Sequence, residues 1–316
     1  MQLIKRLAGL LLLIVSFSTI AQQDKLITHF IYDKMSLNPG KTGLGLDNTI
    51  CATSIYRNQW DKVNGAPNSV VLNVEANLSR FLPGGIGFSF YHDAIGFAKQ
   101  NNLALNYSYP IEIGTVGTLG VGVGVGLINY GLQPDWVPPS TLQDQDLPEE
   151  FAATNFDLNF GAYFNGKDFY VGLSSTHLTE SLLKQSSNGY QQSYQTARHY
   201  YLMGGKKFAN MFGGTIDAQV LMRTDLVKFS ADLNARYIYD FGNSKIGYGG
   251  LTVRTSDAVA VMFGYTPMEN LTVGYSYDIT VNKLSSVSRG SHEIFFKYCY
   301  KLPEPPKQSA RHPRWL

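Results

Sequence analysis

Few residues in this chain have types and spacings that suggest chemistry. Six histidines (His29, His92, His177, His199, His292 and His312) are scattered along 316 residues. None stands at metal-ligand spacing from another or from a cysteine, so they read as surface or interface residues. Asp144, Asp146, Glu149 and Glu150 make an acidic stretch. A calcium site is one reading of it. The spacing is not that of an EF-hand loop, and a solvated loop is the simpler account. No nucleophile–base pair stands out, so an enzyme such as a lipase would need distant residues to converge. The sequence assigns no catalytic, cofactor-binding or metal residue.

Three other groups of residues carry candidate roles. Gly120, Gly122, Gly124 and Gly126 alternate with apolar residues. This run neither ends a strand nor opens a helix, as a dinucleotide-binding loop requires. Its glycines either make room in a lumen for a plug or partner peptide, or simply let a strand curve. Cys51 and Cys299 fit neither a disulfide framework nor a zinc site. They fall near one end of the first and last expected strands. In an oxidising compartment they form a disulfide across the seam or stay as two thiols. Arg57 reads as a structural residue near the mouth that could equally sit in the lumen, paired with Glu75 or Asp93, and Trp60 as a membrane-boundary anchor.

The elements that position these residues follow a two-residue rhythm. Leu119, Val121, Val123, Val125 and Leu127 alternate with the glycines. Leu271, Val273, Tyr275, Tyr277 and Ile279 alternate with Thr272, Gly274, Ser276, Asp278 and Thr280. That pattern sends apolar side chains to one face and small or polar ones to the other, placing the glycines and Asp278 towards a lumen. The expected strands are 48–58, 68–80, 85–93, 101–112, 117–130, 154–164, 168–178, 197–208, 213–223, 227–240, 245–255, 257–266, 269–280 and 291–302. Their length suits a tilted bilayer crossing better than a soluble sandwich. Tight turns such as Asn165-Gly166-Lys167-Asp168 alternate with connections that include all the long ones, 131–153, 179–196 and 281–290. Short turns on one side and long loops on the other are what a barrel in the outer membrane shows.

Composition agrees. Charged residues are 16% and aromatics 13%, with 20 Tyr and 31 Gly, below the roughly 25% charge of soluble domains. Net charge is +2, which gives no basic patch for nucleic acid. Lys5 and Arg6, the apolar run Leu7 to Ile20, and Thr19-Ile20-Ala21 read as a cleaved signal peptide, residues 1–21. A retained anchor would need a longer apolar run. Residues 22–47 carry Ile27, Phe30, Ile31 and Met35 at near-helical spacing before Asn38-Pro39-Gly40, and are expected under or inside the barrel mouth. Residues 48–302 form the barrel, and residues 303–316 a periplasmic tail rich in proline and basic groups. The fold class is all-β: a transmembrane antiparallel barrel of about 14 strands.

Taken in order, these motifs resemble the PorP/SprF family of type IX secretion system membrane proteins. The resemblance rests on Ala21-Gln22-Gln23-Asp24, Leu37-Asn38-Pro39-Gly40, Arg57-x-Gln59-Trp60, Gly65-Ala66-Pro67, Tyr298-Cys299 and Arg311-x-Pro313-Arg314-Trp315-Leu316. Lys41-Thr42-Gly43, His312 and Trp315 depart from the common pattern. The resemblance implies an outer-membrane protein associated with secretion and surface attachment of a gliding adhesin or other type IX cargo. It also implies a link to a periplasmic lipoprotein and ring components, and contact with outer-membrane lipids. Arg311, Pro313, Arg314, Trp315 and Leu316 suit a docking strip, with Arg for carboxylates and Trp for an apolar pocket. A disordered tail is the plainer account. A channel or fatty-acid-type transporter of hydrophobic compounds is the competing function.

Overall fold

The computed structural model describes residues 24–77, 79, 82–134, 150–187, 190–255 and 257–303. The signal peptide and the tail residues Arg311 to Leu316 lie outside them. The alternating segments become β1 (Thr49–Asn58), β2 (Asn68–Asn77), β3 (Gly85–Ile95), β4 (Ala98–Ile113), β5 (Gly117–Leu132), β6 (Phe151–Gly166) and β7 (Phe169–Thr176). After a loop hairpin of β8 (Leu182–Ser187) and β9 (Tyr190–Gln195) come β10 (His199–Met211), β11 (Gly214–Thr224), β12 (Phe229–Asp240) and β13 (Ile246–Arg254). β14 (Ala258–Met268), β15 (Leu271–Thr280) and β16 (Ser291–Lys301) complete the wall. The other strands pair antiparallel around the wall and β16 returns to β1, closing a 14-stranded barrel, while β8 and β9 pair only with each other. Closure leaves no unpaired edge, which a lipid environment requires.

Burial is inverted relative to a soluble protein. Leu173, Phe263 and Leu105 face outward at 63%, 58% and 60% exposure, while Asp232, Asp278 and Glu293 face inward at 1% or less. An apolar exterior around a charged interior is stable only when lipid, not water, wets the outside. The connections sort as the sequence indicates. β4–β5, β6–β7, β10–β11, β12–β13 and β14–β15 turn within two to five residues at the end where β2 also passes to β3, and the long loops gather at the other.

The N-terminal residues pack inside the lumen. A 3-10 turn (Phe30–Tyr32), the one-turn helix α1 (Lys34–Leu37) and a second 3-10 turn (Pro39–Lys41) follow one another. The near-helical spacing of Ile27, Phe30, Ile31 and Met35 thus yields short turns rather than one long helix, interrupted at Asp33 and ended after Leu37 by Asn38-Pro39. These four side chains are 7% exposed or less.

Candidate functional site

The glycine run shows how the wall receives the plug. A Cβ placed on Gly122 would lie 2.3 Å from the Pro39 carbonyl carbon, and one on Gly120 would lie 2.1 Å from the Gly40 oxygen. Gly161, on neighbouring β6, would meet the Asn38 side chain at 2.1 Å. Only a bare backbone allows this approach. Gly124 and Gly126 differ: added atoms there would meet Asn106 and the Leu103 carbonyl of the wall itself. Polar bonds fix the same docking. The Asn38 side-chain amide donates to the Ala162 carbonyl (3.0 Å), Ser108 Oγ donates to the Gly40 carbonyl (2.8 Å), and Ser174 Oγ donates to the Leu37 carbonyl (2.6 Å).

Towards the long-loop end the plug is held by charge. The backbone N–H groups of Thr28 and His29 both donate to the Glu293 carboxylate, at 2.9 and 2.6 Å, and Thr28 Oγ1 donates to Asp278 Oδ2 at 2.7 Å. Arg57 bridges the two acids, with Nη2 at 2.7 Å from Asp278 and Nη1 at 3.2 Å from Glu293. It does not pair with Glu75 or Asp93. Glu75 instead accepts from the Gly43 N–H at 2.9 Å, and Asp93 accepts from Ser69 at 2.6 Å. The chain of charges continues along the wall. Arg254 reaches Asp278 (3.5 Å), Asp257 (3.2 Å) and Asp232 (2.9 Å), and Arg223 donates to Asp232 at 2.5 Å and to the plug's Lys25 carbonyl at 3.1 Å. Signs alternate from β16 through β1, β15, β13 and β12 to β11. Every charge in this chain therefore has an opposite neighbour, as desolvated ions need.

Where the sequence leaves the cysteines open, the structure joins them. Cys51 and Cys299 stand opposite each other in the β1–β16 register and form a disulfide facing the lumen. Trp60 lines the long-loop mouth rather than only the lipid boundary. A cavity of about 320 Å³ opens there beside Asp24, Arg223, Lys228, Arg254 and Asp257. The histidines are not all surface residues. His29 is fully buried, and His177 Nδ1 sits 2.9 Å from Asp157. Burial alone would depress the His177 imidazolium, but the bond from Asp157 and the charges of Asp24 and Asp157 raise it above its ordinary value. Among the described residues no group of three or more acids, histidines or cysteines is arranged to hold a metal ion.

Two further features escaped the sequence reading. One is the ion chain, whose members were available: charged residues at lumen-facing parity near one end of their strands. The other is the β8–β9 hairpin, which folds beside the mouth, where Tyr194 stacks on Tyr130 with ring centroids 3.8 Å apart.

A closed wall with a greasy exterior and a polar interior defines an outer-membrane β-barrel, placed in the cell outer membrane. The description of the type IX secretion system membrane proteins PorP/SprF matches residues 19–298, so the chain belongs to that family. Among solved structures, the CymD monoaromatic hydrocarbon channel has a TM-score of 0.53 and 10% identity, covering 86% of this chain and 93% of that one. The Ralstonia pickettii toluene transporter TbuX has a TM-score of 0.53 and 11% identity over 85% and 93%. At such identity the likeness is one of fold. No curated protein matches the sequence.

Proposed function

We propose that this barrel is a non-catalytic scaffold of the type IX apparatus. It supports secretion, anchoring or surface display of a partner such as a gliding adhesin, and it links to periplasmic lipoprotein or ring components. The observation that carries the reading is the filled lumen: residues of the chain's own N-terminal segment occupy it and are latched to the wall by buried ions. A conduit for solutes has little use for an interior fixed at this cost in desolvation. The hydrocarbon channels that share the fold lend no weight to transport here, since at 10–11% identity the likeness is one of fold alone. Cleavage after Ala21 would leave a mature chain beginning shortly before Asp24, which lies by the long-loop mouth.

In this reading the tail, with Arg311, Pro313, Arg314, Trp315 and Leu316, is a docking strip on the periplasmic side, where the last strand ends. Deleting residues 307–316 should leave a folded, heat-modifiable barrel that recovers fewer type IX components in pull-downs from native membranes. Undiminished recovery would remove the tail from the proposal. Failure of the intact protein to recover any such component would remove the scaffold role itself.

A further inference from the structure

The plug does not lie centrally in the periplasmic half of the lumen. Its lower part leans on the β2–β7 wall, where Gly43 approaches Gly85, Met35 approaches Gly87 and Gly40 approaches Gly120. The opposite wall, β10 to β16, is cationic. Arg236 lies 5.4 Å from the Tyr32 ring centroid and 5.1 Å from that of Tyr248, and Lys297 Nζ lies 5.8 Å from Tyr32. On the plug side Lys34 Nζ sits 3.6 Å from the Tyr170 ring centroid. Lys207 on β10 adds another cation within electrostatic range of Lys34, as does Lys41. Against these five stand two carboxylates already engaged, Asp217 with Arg236 at 2.8 Å and Glu75 with Lys41 at 3.3 Å. Lys34 and Lys297 have tyrosine faces for company and, among the described residues, no carboxylate within ion-pair distance.

We infer that this cluster of cations, shared by the plug's Lys34 and Lys41 and the β10–β16 wall below the Tyr32–Phe295 contact, is a docking site for an acidic segment of a periplasmic partner protein. Cations crowded in a partly dried space repel one another, and incoming carboxylates relieve that repulsion while forming charge-assisted bonds. Lys34 and Lys297 are half-buried and Lys207 is exposed, so these groups remain reachable, whereas the Arg236 side chain is largely buried and already held by Asp217 and Tyr32. The chain's own tail is a poor occupant, because Lys307, Arg311 and Arg314 share the sign of the cluster. The tyrosines supply flat surfaces for apolar residues interleaved among the acids.

This deepens the scaffold reading and takes from it only the identity of the partner as a type IX component. The test uses the full-length mature barrel in detergent micelles and a fluorescent deca-glutamate peptide, followed by anisotropy. The peptide should bind, with affinity falling steeply as salt rises. The double variant K207Q/K297Q should bind about tenfold more weakly or worse, with unchanged heat-modifiable mobility. K228Q, at the opposite mouth, should bind as the wild type does. If the double variant misfolds, K207Q alone decides, since its side chain is exposed. Equal binding by K207Q/K297Q and wild type, equal binding of deca-lysine, or displacement by inorganic phosphate at the peptide's own concentration would each overturn the proposal. Porin-like conductance would sink the scaffold reading but leave this result to be scored separately. Absent peptide binding would sink the docking site and leave the tail pull-down standing.

Discussion

Arg57 is the residue whose loss should cost most. Its guanidinium is the joint between Asp278, Glu293 and the plug's Thr28, all buried in the wall. Replacing it by Met takes one guanidinium from each carboxylate, leaving Asp278 with Arg254 and Thr28 and Glu293 with Thr28 and His29. Breaking a buried pair from one side typically costs about 3–5 kcal/mol. R57M should therefore lower the urea midpoint of the purified barrel strongly, whereas R57K should fall between. An unchanged midpoint for R57M would show that the ion chain does not hold the structure. The glycines make a sharper comparison. G122L must push Pro39 aside, so a reporter thiol at Ser36→Cys should gain reactivity in that background. G124L, which meets only Asn106 and Asn159 of the wall, should leave the reporter as it was. Parity alone places all four glycines on the lumen side. It cannot separate the pair under the plug from the pair that is not, since that depends on where Asn38 to Gly40 comes to rest. The partners of Arg57 were hidden for a related reason: Asp278 and Glu293 are 221 and 236 residues away in the chain, and only barrel closure brings them near.

At the level of elements, the seam between β1 and β16 joins the two ends of the wall, and Cys51–Cys299 ties it covalently. C51S should abolish the mobility difference between reduced and non-reduced gels while the barrel still folds, since the strand ladder around the cysteines is complete. Full alkylation of both thiols in unreduced wild type would contradict the bond. The loop between β7 and β10 gives a pH prediction. The imidazolium of His177 is favoured in the folded loop by Asp157, so its folded pKa lies above the unfolded value near 6.5. The contribution is fully present below that value and fades as pH rises through the folded pKa. Protease sensitivity of residues 177–198 should rise from pH 6 to pH 9, and H177Q should flatten the change. The strands were legible because their two-residue period persists for the width of a bilayer. β8 and β9 were passed over because Lys184 to Gln195 lacks apolar alternation. Asn188-Gly189 between them was a usable hairpin signal.

The whole molecule is a cylinder with lipid outside, its own N-terminal residues inside, the long loops at one mouth and the tight turns at the other. The sequence alone suffices for the cylinder and for a segment near its mouth. How firmly that segment is seated follows only from the register of strands distant in sequence. A hydrocarbon-phase probe should label Val123→Cys and Tyr275→Cys, and spare Gly124→Cys and Ser276→Cys. The most direct test of the central claim is planar-bilayer recording of the purified mature protein. A barrel sealed by its own latched segment predicts a quiet membrane, without the stepwise conductance of an open pore. Steady porin-like steps from wild-type protein would contradict it.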